Sequence, residues 1–165
     1  MDIKLHYEDD PILSKSCEYF DLKSVNFDLD KLLFDMKQLM FRHAGIGLAA
    51  PQVGNLYNFF IMGDTSNMYY IFNPRILETG IENIKFKEGC LSFPDLWLNI
   101  SRPKKIKVQY ENIKGELKED IFDNIWSRCF QHELDHLRGT CFTKKAGPTT
   151  LYMAKQKRGS LRRNK

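Results

Sequence analysis

Long apolar runs are missing from this 165-residue sequence: none approaches the roughly 18 residues that a membrane-spanning helix needs, so no membrane association is expected. The first eleven residues have neither a basic start followed by an apolar stretch nor the Arg- and Ser-rich, acid-poor character of a transit peptide. A soluble, cytoplasmic protein is the resulting expectation. Cysteine is scarce, with Cys17, Cys90, Cys129 and Cys141 as the whole complement. Four thiols without an export signal argue against a disulfide framework and leave reduced cysteines, one of which is available as a ligand. Acidic residues are absent after Asp135, whereas Lys144, Lys145, Lys155, Lys157, Arg158, Arg162, Arg163 and Lys165 are all basic. The rest of the chain carries 17 basic against 21 acidic side chains, a net −4 beneath the overall +4. A mildly acidic body with a basic end implies either a solvated, partly disordered tail or contact with a polyanion such as ribosomal RNA.

What is present is enough for one core. The content is 42% hydrophobic and 13% aromatic, and no repeat or linker divides the chain. We expect one domain over residues 1–143 and a basic tail over 144–165. Leu29, Leu32, Leu33, Met36, Leu39 and Met40 keep helical spacing, with Asp28 or Asp30 placed to cap the start and Gly45 to end it. This predicts an N-terminal packing helix of about 14 residues. The following GIGLAAPQVG is short of large side chains and reads as too small for a core element. Strands are expected at residues 59–62, 69–72, 81–86 and 106–110, then a turn at 112–115 into a strand at 116–121. A second helix begins near Asp123, with Ile125, Trp126, Cys129, Phe130 and Leu137 as its apolar positions. The fold class is α+β: mostly antiparallel sheets around a central helix, with the packing helix before them.

The second helix carries His132-Glu133-Leu134-Asp135-His136. Residues four apart stack on one helix face, so two imidazoles can reach one ion, and Glu133 can work on a water instead of on the metal. The simpler alternative is a surface helix that happens to carry two histidines and two acids. A catalytic site needs a third protein ligand and an open position. A downstream acid is excluded because none follows Asp135, and the longer pattern H-E-x-x-H-x-x-G-x-x-H fails at Phe142, which cannot coordinate. Cysteine is the economical candidate. Cys129 sits in the apolar stripe and reads as a packed thiol, and Cys141 lies just past the Gly139 helix end. Cys90 stands in the polar, glycine-containing stretch Lys87-Glu88-Gly89-Cys90-Leu91-Ser92, where core filling explains it poorly. The Leu91 N–H and the Gln52 amide are suitable donor types for a developing oxyanion, although sequence alone does not bring Gln52 there.

Three segments together resemble the peptide deformylase family: Gly45-Ile46-Gly47-Leu48-Ala49-Ala50-Pro51-Gln52, Glu88-Gly89-Cys90-Leu91-Ser92 and Gln131-His132-Glu133-Leu134-Asp135-His136. The resemblance spans residues 1–143. It implies a metallohydrolase that releases formate from N-formyl-methionyl nascent peptides. Cys90, His132 and His136 would hold one divalent ion, natively Fe(2+), with Zn(2+), Ni(2+) or Co(2+) as substitutes. Glu133 would move the proton of the metal-activated water, and Gln52 with the Leu91 amide would stabilise the tetrahedral intermediate. Ile46, Ile125, Cys129 and the stem of Glu88 would form the methionine slot, with Gly47 along the substrate backbone and Gly45 and Gly89 also at the substrate. Many bacterial members carry arginine where this chain has Trp97, which reads equally as core or as pocket rim. The family's usual acidic dipeptide and amphipathic C-terminal helix are not apparent, and a basic end could meet the ribosome by charge. The short basic end is reminiscent of bacteriophage-encoded deformylases, which would place a monomeric enzyme in the host cytoplasm. A metallopeptidase cutting internal bonds and a non-catalytic binding module are the competing readings.

Overall fold

Residues 3–163 are described by the computed structural model. The packing helix forms as α1, Leu29–Arg42, and Asp28 caps it by accepting from the Lys31 N–H at 2.9 Å. Leu33, Met36, Leu39 and Met40 make its buried stripe. Its end differs from the expectation. Ala44, with φ 54°, takes the left-handed turn, while the Gly45 N–H closes on the Met40 carbonyl at 2.9 Å. Gly45 serves packing instead, since a Cβ there would stand 2.8 Å from the Leu91 side chain.

Seven strands follow: β1 Gly47–Ala49, β2 Phe59–Gly63, β3 Met68–Thr79, β4 Asn83–Cys90, β5 Phe93–Pro103, β6 Lys105–Glu111 and β7 Leu117–Asp123. One sheet has the order β1-β2-β3-β6-β7, and β4 and β5 form a separate ribbon; every pairing is antiparallel. The expected strands at 59–62, 69–72 and 106–110 fall inside β2, β3 and β6. The strand expected at 81–86 begins later and runs to Cys90. The turn at 112–115 is an Asn112 side-chain turn, whose Oδ1 accepts from the N–H groups of Lys114 and Glu116.

Two parts of the sequence reading need correction. The GIGLAAPQVG stretch is a core element: β1 and the 3-10 turn Ala50–Val53 are buried throughout. Small side chains are there because a helix lies on them; a Cβ on Gly47 would stand 2.4 Å from Glu133 Oε1 and 2.7 Å from Cys129 Sγ. β5 was not foreseen as a strand. Its inward row of Leu96, Leu98 and Ile100 ends in a charged residue, Arg102, which hides the alternation.

That helix is α2, Asn124–Leu137, buried on all sides from Ser127 onward. Cys129, Phe130, Leu134 and Leu137 pack on the five-stranded sheet, and Arg128 and Asp135 turn toward charged partners. Gly139, at φ +63°, ends the segment where a side chain would meet the Ser14 carbonyl at 2.6 Å. Beyond it the basic end is helical: α3, Pro148–Arg163, packs Leu151 and Ala154 against the core containing Phe93, Leu96 and Leu98. Arg158 pairs with Glu8 through two contacts at 2.9 and 3.1 Å, and Arg162 donates to the Pro94 carbonyl at 3.1 Å. Long-range anchors of this kind hold a helix whose own sequence is only weakly amphipathic. Lys165, counted in the basic end, lies outside the described residues.

Candidate metal centre

α2 presents His132 and His136 with their ring centroids 5.1 Å apart. Cys90 closes β4 after a register shift that follows Glu88, and its Sγ lies 3.2 Å from His136 Nε2. The ligating atoms of Cys90, His132 and His136 all lie within 4.8 Å of one another, and among the described residues they form a cluster able to hold a divalent metal ion. The other two thiols considered have different partners. Cys129 Sγ faces the Ile46 carbonyl at 3.4 Å and Cys141 Sγ faces the Leu13 carbonyl at 3.9 Å. Phe142 packs its ring 5.5 Å from that of His132. A thiolate with two imidazoles suits a borderline ion such as Fe(2+) or Zn(2+) and leaves a coordination position open. Glu133 Oε2 adds to the fit, because it is buried and has no partner among the described residues.

His132 is oriented from behind. Its Nδ1 lies 3.0 Å from Glu88 Oε2, which leaves Nε2 for the cluster. Arg102 grips Glu88 at 2.6 and 3.0 Å and reaches Asp135 at 2.9 Å, and Arg128 donates to Glu88 at 2.6 Å. Burial alone would raise Glu88, but the hydrogen bonds from His132 and Arg102 and the guanidinium charge bring its pKa down to about 2. The reading of Glu88 through its stem therefore missed what its carboxylate does. Arg102 and Arg128 were not singled out either, and their signal was an arginine amid inward apolar positions. Arg102→Met would leave the carboxylates of Glu88 and Asp135 buried without their shared cation. We expect a loss of about 3 kcal/mol, seen as a melting temperature lower by about 6–12 °C.

Gln52 is fixed at both ends of its amide. Its Oε1 accepts from the Ala49 N–H at 2.9 Å, and its Nε2 donates to Ser92 Oγ at 3.0 Å while pointing at Cys90 Sγ from 3.6 Å. Ser92, which sets this direction, was part of a motif but not a candidate. Burial pushes Glu133 up to about 7, against the opposing charges of His132 and Arg102, so its carboxylate can hold or release a proton near neutrality.

These groups border one open cavity of about 540 Å³. Gly45, Ile46, Gly47, Gln52, Glu88, Gly89, Leu91, Ile125 and Cys129 line it together with Cys90, His132 and Glu133. Of the residues the sequence picked out for the site, His136 stands behind that lining and enters through the ligand cluster. Trp97 is on the rim and not in the core, with 55% of its surface exposed.

The arrangement has close relatives. The polypeptide deformylase family model matches residues 3–151. A peptide deformylase from Thermotoga petrophila is 42% identical over 118 residues, 72% of each chain. One from Fusobacterium nucleatum is 32% identical over 162 residues, covering 98% of this chain and 92% of its own. The crystal structure of a peptide deformylase from Synechococcus elongatus in complex with actinonin superposes with a TM-score of 0.87 at 33% identity, over 95% of this chain and 86% of that one. Agreement at that level over nearly the whole chain, with the thiol and imidazole cluster at its centre, establishes that this chain belongs to the peptide deformylase family.

Proposed function

We infer that the cavity over Cys90, His132 and His136 is where this metal-dependent hydrolase removes the formyl group from N-formyl-methionyl nascent peptides. The observation that carries the reading is the shared cavity: Cys90 and His132 of the ligand cluster, a buried carboxylate with one oxygen unpartnered and an oriented amide donor all border it, with His136 behind. Cys90, His132 and His136 would hold one divalent ion, ferrous iron in our reading, and the chemistry it would supply there is Lewis acidity toward water and the formyl carbonyl. The protein's own groups do the rest. Glu133 takes the proton of the attacking water and returns one to the departing amine. Gln52 Nε2 and the Leu91 N–H donate to the formyl oxygen as it gains charge. The methionine side chain enters between Ile46, Ile125, Cys129 and the stem of Glu88, and the backbone at Gly45 and Gly47 runs beside the peptide, with Gly89 opposite. Among the described residues β1 is an edge strand of its sheet and β4 pairs with β5 alone, so each leaves a free edge, and residues of both border the cavity. An extended peptide fits between such edges.

Anaerobic purification with metal analysis, followed by formate release from formyl-Met-Ala-Ser, tests the reading, since thiolate sites lose activity in air by oxidation. Formate release without casein cleavage is expected; casein cleavage without formate would instead mark a metallopeptidase.

The site is complete within one chain, which supports a working monomer. No described helix is long and apolar enough to cross a membrane. For the basic end we propose contact with ribosomal RNA by α3, whose Lys155 and Lys157 are exposed. Lys155→Glu with Lys157→Glu should weaken co-sedimentation with ribosomes and flatten its salt dependence while sparing the Leu151 packing. Unchanged co-sedimentation would dispose of this contact.

A further inference from the structure

α2 carries two of the ligands and the β4–β5 ribbon carries the third, yet the ribbon is a separate sheet from the one on which α2 packs. Strand pairing therefore does not set the distance from Cys90 to the imidazoles. Arg128 spans that gap. It lies one helical turn before His132, on the face that carries His132 and His136, and it is 7% exposed. Its Nη1 donates to Glu88 Oε1 at 2.6 Å and to the Ile100 carbonyl at 2.9 Å, and its Nη2 donates to the Ile84 carbonyl. These acceptors belong to both strands of the ribbon. Phe86, between Ile84 and Glu88 on the same face of β4, sets its ring 5.8 Å from the guanidinium carbon.

Resting on the ligand set read above, we propose that Arg128 is a positioning residue, a clasp that fixes the ribbon against α2 and so sets how closely Cys90 approaches His132 and His136. The carboxylate of Glu88, two residues before Cys90, is held from two successive turns of α2: Oε1 by Arg128 and Oε2 by His132. Compensating the Glu88 charge is not what Arg128 adds, because Arg102 already gives that carboxylate two donors at 2.6 and 3.0 Å. Its own contribution is the grip on the Ile84 and Ile100 carbonyls. A guanidinium presents its donors in a rigid planar fork, so three acceptors on two strands are held in one geometry. A shift of the ribbon along α2 would break at least one of these bonds.

Titration with Co(2+), followed through the thiolate-to-metal charge-transfer band, tests the clasp without any substrate. Arg128→Met should bind Co(2+) about 10- to 100-fold more weakly than the parent, the range for losing a partner behind the ligands, and its band should be weaker at saturation. Arg128→Lys keeps a cation beside Glu88 but not the planar fork, so it should also bind more weakly than the parent. Phe59→Leu, in the aromatic cluster with Phe20 and Phe72, is the comparison for lost stability alone. It should lower the melting temperature and leave Co(2+) binding unchanged. Parent-like affinity and band in Arg128→Met would overturn the clasp, as would parent-like values in Arg128→Lys, which alone decides if the methionine variant does not fold. Equal loss of affinity in Phe59→Leu would reduce the effect to stability and overturn it too. A parent protein that binds Co(2+) without the thiolate band would instead overturn the ligand assignment beneath it.

Discussion

Glu133→Ala is expected to lower kcat by about 10²- to 10⁴-fold, the contribution of a positioned proton-transfer group, while the protein keeps its metal. The two outcomes separate because Glu133 is not one of the convergent ligands: those are Cys90, His132 and His136. Its carboxylate lies over Gly47, has one oxygen without a partner among the described residues, and is pushed by burial to about 7. A group titrating there accepts a proton from water and gives it up again without a large penalty in either direction. Removing it leaves the Cys90, His132 and His136 cluster and the Gln52 amide in place. Metal content per chain and single-turnover formate release are the measurements. Loss of metal together with activity would show that Glu133 acts on the ion and not on the proton.

Cys90→Ser should weaken metal retention by about a hundredfold or more, exceeding the usual effect of losing a partner behind a ligand. A serine hydroxyl stays neutral at pH 7, so the cluster would lose its anionic ligand, and the harder oxygen would shift preference away from the softer ions. Cys141→Ser serves as the comparison. Burial raises the Cys141 thiol to about 11 and faces it toward the Leu13 carbonyl, an environment that disfavours a thiolate. Burial likewise raises Cys129 well above the ordinary thiol range. Titration with a chelator should therefore strip the Cys90 variant first and leave the Cys141 variant like the parent. The reverse order would mean the wrong thiol has been assigned.

The elements legible in the sequence are those whose signal is local. α1 needs a 3.6-residue stripe and an aspartate cap, and β6 needs Ile106, Val108 and Tyr110 alternating with Lys107 and Gln109; both arise from neighbouring residues. β5 fell outside this rule because Arg102 occupies an inward position, where Glu88 and Asp135 compensate its charge from other elements. β1 fell outside it because its small residues fit against α2, and close approach leaves no periodic mark. α3 was missed for a related reason: its hold comes from Glu8 and the Pro94 carbonyl, both far away in sequence.

The cavity and its cluster show the same division. From residues 132–136 alone, a helix carries two imidazoles on one face with a carboxylate beside them, and the absence of any acid after Asp135 leaves cysteine as the economical third ligand. Which thiol stands beside the imidazoles was decided in space, by a β4 end that brings Cys90 Sγ within 3.2 Å of His136 across 46 residues of chain. The direction of the Gln52 amide, set by Ala49 and Ser92, and the turning of Glu88 onto His132 were decided there too. Helical spacing is a property of the chain's own geometry and can be counted from sequence; contacts between distant segments depend on packing, which fixes their distances only after the sheets close around α2.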